Sequence, residues 1–245
     1  MINQYTSSEL FHLVGRSHPD DHEANYQILL KVLDSYCVSH PPHVPGVSPH
    51  RITTNWDKSI FTGELIVADV TCFCDIPYDT LGIHMRKYGM FGISFDRDFL
   101  IKYGARPVIY MPMRPSDPLW WGSIHCETLI RDIEQIWRGY RKQVIDPMGL
   151  TAKTRSLCEE PTSPQNAVSA MDEVITQYFL AFLKPFNSEL PDDDPDNYYM
   201  EREWRRFGNS PFQPNDVRHV LVAPAFVARL KNERPLYSDK ILPAP

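Results

Sequence analysis

In the segment Tyr198-Tyr199-Met200-Glu201-Arg202-Glu203-Trp204-Arg205, two carboxylates stand two residues apart among aromatics and arginines. The segment leaves an acidic, proline-broken loop, Leu190 to Asn197, and its pattern predicts a β-strand. Alternation along a strand would put Tyr199, Glu201, Glu203 and Arg205 on one face and Met200 and Trp204 on the other. At roughly 3.4 Å per residue the two carboxyls would lie about 7 Å apart. That spacing suits electrostatic or general-base work in a cleft. A half-exposed strand laced with Glu/Arg pairs would look the same, so the segment alone leaves both readings open.

Other chemistries are easier to set aside. The chain has no GxGxxG, no GxxxxGK[ST] and no GxSxG, which removes the dinucleotide fingerprint, the P-loop and the nucleophile elbow. His18 and His22 have i, i+4 spacing, but the run HPDDH opens on His-Pro in a turn and carries no Glu between the histidines. Cys72 and Cys74 would share a strand face as ordinary buried thiols, so no metal is expected. His12, in an apolar strand, reads first as a core-edge histidine bonded to a backbone carbonyl. Five scattered cysteines argue against a disulfide framework. A net charge of −6 gives no general pull toward nucleic acid or anionic membrane. There is no apolar run long enough to span a bilayer and no signal-like N-terminus, so the default expectation is a cytosolic protein without membrane contact. Local positive charge with aromatic neighbours does occur at Arg138 to Lys142 and at Arg202 to Arg206.

The elements that must position these residues follow from periodicity and punctuation. Strands are expected at 11–14, 64–74, 90–95, 107–111, 198–205 and 217–222. A helix is expected from Asp21 to Val38, capped by Asp20 or Asp21. Short helices follow Pro77 and Asp96, the latter stopped by Gly104, and another is expected at Ala225 to Lys231 before a loose tail. Two long helices, Ser123 to Ile145 and Asn166 to Phe186, present apolar faces, the second through Met171, Val174, Ile175, Tyr178 and Phe179. With 245 residues and no regular strand–helix alternation, the chain reads as one α+β domain carrying a helical insertion at about 123–186.

The order of a His on the first strand, an aromatic or hydroxyl residue in the middle and a Glu on a late strand resembles the ADP-ribosyltransferase superfamily. More narrowly, Glu9-Leu10-Phe11-His12, Val70 to Pro77 (VTCFCDIP), His84 to Phe95 (HMRKYGMFGISF), Pro107-Val108-Ile109-Tyr110 and Tyr198 to Arg205 resemble AbiGi-type abortive phage resistance proteins. The resemblance implies an ADP-ribosyltransferase-like split mixed sheet with NAD as substrate. On that basis Glu203, or alternatively Glu201, would be the catalytic acid that steadies the oxocarbenium charge as nicotinamide leaves. His12, Tyr88 or Ser94, and Arg205 would bind NAD. Antitoxin is a label also attached to such proteins, and it conflicts with the enzymatic reading.

Two functions are therefore expected as rivals. One is an NAD-dependent ADP-ribosyltransferase, the toxic effector of an abortive-infection or toxin–antitoxin system, with an RNA, DNA or protein acceptor and a cognate antitoxin. NAD hydrolysis without transfer would be its variant. The other is a non-catalytic antitoxin or phage-sensing module. It would bind protein through the loops His40 to Arg51 and Met111 to Gly122, where Pro112, Pro115, Pro118, Trp120 and Trp121 make a stiff aromatic tip.

Overall fold

A computed structural model of the chain describes residues 7–39, 52–113, 126–149, 163–194 and 196–245. In chain order the strands are β1 (Glu9–Leu13), β2 (Cys37–Val38), β3 (Ile52–Thr54), β4 (Ile66–Ala68), β5 (Val70–Cys74), β6 (Gly92–Asp96) and β7 (Arg106–Pro107). They continue with β8 (Ile109–Met113), β9 (Leu183–Asn187), β10 (Glu203–Phe207), β11 (Ser210–Pro211), β12 (Val217–Val222) and β13 (Ile241–Pro243). The α-helices are α1 (His22–Ser35), α2 (Gly82–Tyr88), α3 (Arg97–Lys102), α4 (Cys126–Tyr140), α5 (Pro164–Glu173) and α6 (Val227–Glu233). The chain is thus α+β, and its contacts divide it into two compact units.

The first unit comprises 1–51, 69–108 and 190–245 and holds a seven-stranded mixed sheet in the order β13-β12-β6-β1-β5-β10-β7. Its pairings are antiparallel except β12 with β13, which run parallel. Helix α1 starts where Asp21 accepts the Ala24 amide at 3.0 Å, as its sequence predicts. It ends at Tyr36, whose left-handed φ of 50° turns the chain out of the helix. Its residues Tyr26, Leu29 and Leu33 join Leu10, Phe73, Ile93, Phe95 and Val220 in the larger core of this unit. On the other sheet face, Leu81, just before α2, and Met85 of α2 join a smaller core with Phe11, Cys74 and Leu221. The expected loose tail is ordered. β13 pairs Ile241 with Val220 on the β12 edge, and Tyr237 is buried just before it.

The second unit comprises 52–68 and 109–189. Its core gathers Ile60, Leu65, Ile130, Trp137, Leu180 and Leu183. The expected single strand at 64–74 is broken at Asp69, so β4 pairs with β3 in this unit while β5 belongs to the sheet of the first. The expected helix to Phe186 also ends early: after α5 the chain passes through a wide turn at Val174–Phe179 and a tight one at Leu180–Phe182. It then extends as β9, parallel to β8. Ile175 and Phe179 pack inward, but Met171, Val174 and Tyr178 face outward, with Met171 57% exposed. The inward side instead carries Asp172, ion-paired to Arg141. The apolar residues of this helix therefore lie on two faces and not on the single core face expected.

Candidate functional site

The register of the first unit decides which side chains can meet. Directly paired residues point to the same side of a sheet, and successive residues to opposite sides. Phe11 pairs with Cys74 and with Ser94, Cys74 with Glu203, and Cys72 with Arg205. Glu203, Arg205 and Ser94 therefore project from the face covered by α2. His12 pairs with Ile93 and projects from the opposite face, its ring 5.8 Å from that of Phe73 in the α1-side core. There its Nδ1 donates to the Cys72 carbonyl at 2.8 Å. The pleat thus sets His12 and Glu203 on opposite sides of the sheet, and the expected pocket joining an imidazole to that acid is not formed.

The Glu-bearing segment also departs from expectation. Tyr198–Glu201 is a tight helical turn, capped by the Asn197 side chain accepting the Tyr199 amide at 3.3 Å. Arg202 then takes a left-handed φ of 43°, and the strand begins only at Glu203. Alternation therefore never relates Glu201 to Glu203. Both carboxylates are nevertheless 6% exposed. Glu203 accepts from Arg205 Nε at 2.8 Å and Nη2 at 3.2 Å, a fork geometry within one strand. Glu201 accepts from Tyr88 Oη at 2.5 Å and from Lys87 Nζ at 3.1 Å.

Tyr88 reaches Glu201 because the end of α2 is pinned to the end of β1. Gly15 donates its amide to the Tyr88 carbonyl at 2.8 Å, and a Cβ on Gly15 would sit 2.6 Å from that oxygen. Only glycine allows so close an approach. Burial, and then the negative charge of Glu201, push the Tyr88 phenol well above its ordinary range, so it stands as a neutral donor. Burial likewise raises the neighbouring Cys74 thiol, helped by the Glu201 charge. Asp75 completes this polar layer: its carboxylate accepts the Ser7 amide at 2.8 Å and lies 3.7 Å from Arg97 and 3.9 Å from Arg202.

Ser94 belongs to a separate cluster on the same sheet face. Its hydroxyl donates to Glu9 at 2.6 Å, His219 Nδ1 donates to the same carboxylate oxygen at 2.8 Å, and the His219 amide donates to Ser94 Oγ at 3.0 Å. Burial works to raise the Glu9 pKa, but the bonds from His219 and Ser94 outweigh it and hold it below the ordinary carboxylate value. Both hydrogen atoms point at the carboxylate, so the serine is not activated as a nucleophile by this histidine. Of the predicted residues, the structure gathers Tyr88, Glu201, Glu203 and Arg205 on one side, sets Ser94 in the Glu9 cluster, and turns His12 away. Lys87, Glu9, Asp75 and His219 were missed; Lys87 lies 114 positions from the acid it serves, and no local pattern announces such a pairing.

Beside Glu201 opens a cavity of about 310 Å³ between α2 and the 194–202 segment. Ile76, Pro77, Ile83 and Met200 form its apolar walls, with Lys87 and Glu201 among its polar lining. Elsewhere the expected cationic patches are engaged internally. In the second unit Arg138 donates to Glu134 at 2.9 Å and to the Trp56 carbonyl at 2.7 Å, and Arg141 pairs with Asp172. In the first, Arg206 donates to the Tyr103 carbonyl at 2.9 Å. Among the described residues no cluster of His, Cys, Asp or Glu is suited to a metal ion, and His22 packs edge-on against Phe91 and Phe226. No helix among them is long and apolar enough to cross a membrane. The loop residues Pro115, Pro118, Trp120 and Trp121, with 40–51, lie outside the described residues.

Comparison with curated proteins and with solved structures gave no match. A family model does match, over residues 58–232; its description is "Putative abortive phage resistance protein AbiGi, antitoxin". The description names an antitoxin, which overturns the expected toxic ADP-ribosyltransferase effector and favours the non-catalytic rival. The match spans more than half of the chain, which therefore belongs to the AbiGi family of abortive phage resistance proteins.

Proposed function

We propose that this chain is a non-catalytic antitoxin that binds and neutralises a cognate protein toxin in anti-phage defence. The observation that carries the reading is the family match over residues 58–232 and its description as an antitoxin. The engagement of both acids supports it. Glu203 is forked to Arg205, and Glu201 is held by Tyr88 and Lys87, so neither carboxylate is presented as a free base. Neither NAD nor a nucleic-acid acceptor enters any step of this reading.

The test is growth. The chain is expressed alone, with the product of the reading frame beside its own as the toxin, and in a Glu203→Gln form. The expected result is no toxicity from the chain alone, arrest by the toxin alone, and rescue by both the wild-type chain and Glu203→Gln. Growth arrest by the chain itself, relieved by Glu203→Gln, would overturn the proposal.

A further inference from the structure

The cavity beside Glu201 has a rim whose charge selects a partner. Its walls are apolar, and at about 310 Å³ it lies at the small end of pockets that hold ligands or anchor side chains. Ile83 at its lip is 37% exposed, and Tyr198 and Tyr199 stand exposed on the neighbouring turn. Exposed tyrosines beside an apolar pocket are what the centre of a protein interface usually presents.

Around this pocket the chain runs through Asp192, Asp193, Asp194 and Asp196, with Asp192, Asp193 and Asp196 exposed. Asp79, before α2, is exposed as well. The local cations offset only part of this charge, so the rim stays net acidic; Arg86, exposed at the rim, supplies one positive charge against five aspartates. Lys87 is bound to Glu201 and lies 4.2 Å from the centre of the Tyr198 ring. Arg202 lies 3.9 Å from buried Asp75, and Arg86 places its guanidinium 3.4 Å from the Asp193 carbonyl. An incoming chain therefore meets acid at the rim and hydrocarbon in the pocket.

We propose that this surface is the toxin-docking site, and that its occupant is a protein segment with a large apolar side chain flanked by Lys or Arg. The apolar residue fills the pocket, and the flanking cations face the aspartates. Rim charges of this kind chiefly raise the association rate and fix orientation, while the buried anchor governs release. The inference deepens the antitoxin reading and rests on it.

A displayed library of random 12-residue peptides, selected against the purified full chain, reads the surface without needing the toxin. The expected winners carry an aromatic or aliphatic residue flanked by at least two cations. Their affinity falls tenfold or more in Ile83→Asp. In the triple variant Asp192→Asn, Asp193→Asn, Asp196→Asn it falls several-fold and loses most of its salt dependence. Acidic or uncharged winners, or binding unmoved in the triple variant, would overturn the proposal even if Ile83→Asp failed to fold. In the growth assay, rescue that persists in both folded variants sinks the docking site and leaves the antitoxin reading standing. Absence of rescue by the wild-type chain sinks the reading itself.

Discussion

Removing the Tyr88 hydroxyl takes a donor from a carboxylate that is almost closed to water. Glu201 is then left with Lys87 as its remaining protein donor named above, and a buried acceptor that loses a bond costs roughly 1–3 kcal/mol. Tyr88→Phe should therefore lower the unfolding free energy in urea by an amount within that range, read as a lower midpoint with an unchanged m-value. A loss below about 0.5 kcal/mol would mean that the short Tyr88–Glu201 contact carries no weight. Glu9 gives a pH signature of known sign. Its folded pKa is depressed, so its contribution is complete above the ordinary carboxylate range and is lost as pH falls through the lower folded value. Tyr26 does the reverse: burial and its bond to Glu233 push the phenol up to about 12, so stability is lost between about pH 10 and 12. A denaturation series across pH should show the acid-side loss shrink in Glu9→Gln. An unchanged acid limb would remove Glu9 from the account.

At the scale of elements, Gly15 marks where two of them touch. Its missing Cβ would meet the Tyr88 carbonyl at 2.6 Å and Asn25 Nδ2 at 2.7 Å, so Gly15→Ala must push the end of α2 from the end of β1. The expected cost is about 1–3 kcal/mol, the usual scale of overpacking. Faster amide exchange should appear at both termini, and stability equal to wild type would refute the pinning. This contact shows the boundary of what the sequence makes legible. The cap at Asp21, a short first strand through Phe11 to Leu13 and the run of β12 are local patterns, and all three appear, although β1 begins at Glu9, two residues before the strand expected at 11–14. The break at Asp69 does not announce itself, because the run ELIVADVTCFC is continuously β-prone and only its partners assign the halves to different sheets. Strand β9 was hidden because Leu183 and Phe186 continue the preceding helical spacing, and its pairing with β8 arises from residues some 70 positions away. At the site, both acids were visible as residue types. Their roles were not, because a left-handed Arg202 shifts Glu201 off the strand and the pleat sends His12 to the far face.

At the scale of the molecule, each of the two compact units has a core of its own among the described residues. Stability need not be uniform in such a chain, since regions with separate cores open with separate free energies. Ile130 is fully buried in the second unit, among Trp137, Leu180 and Leu183. Ile130→Ala should cost about 2–5 kcal/mol there, the usual range for truncating a buried aliphatic. Hydrogen exchange followed by mass spectrometry should then show faster exchange across α4, β8 and β9. Strands β1, β6 and β12 should keep their wild-type protection, because their core lies in the first unit. If exchange accelerates equally in all of them, the units unfold as one cooperative body. Confinement to the second unit has a functional corollary: the pocket beside Glu201 lies wholly in the first, so Ile130→Ala should leave toxin neutralisation intact wherever the first unit remains folded.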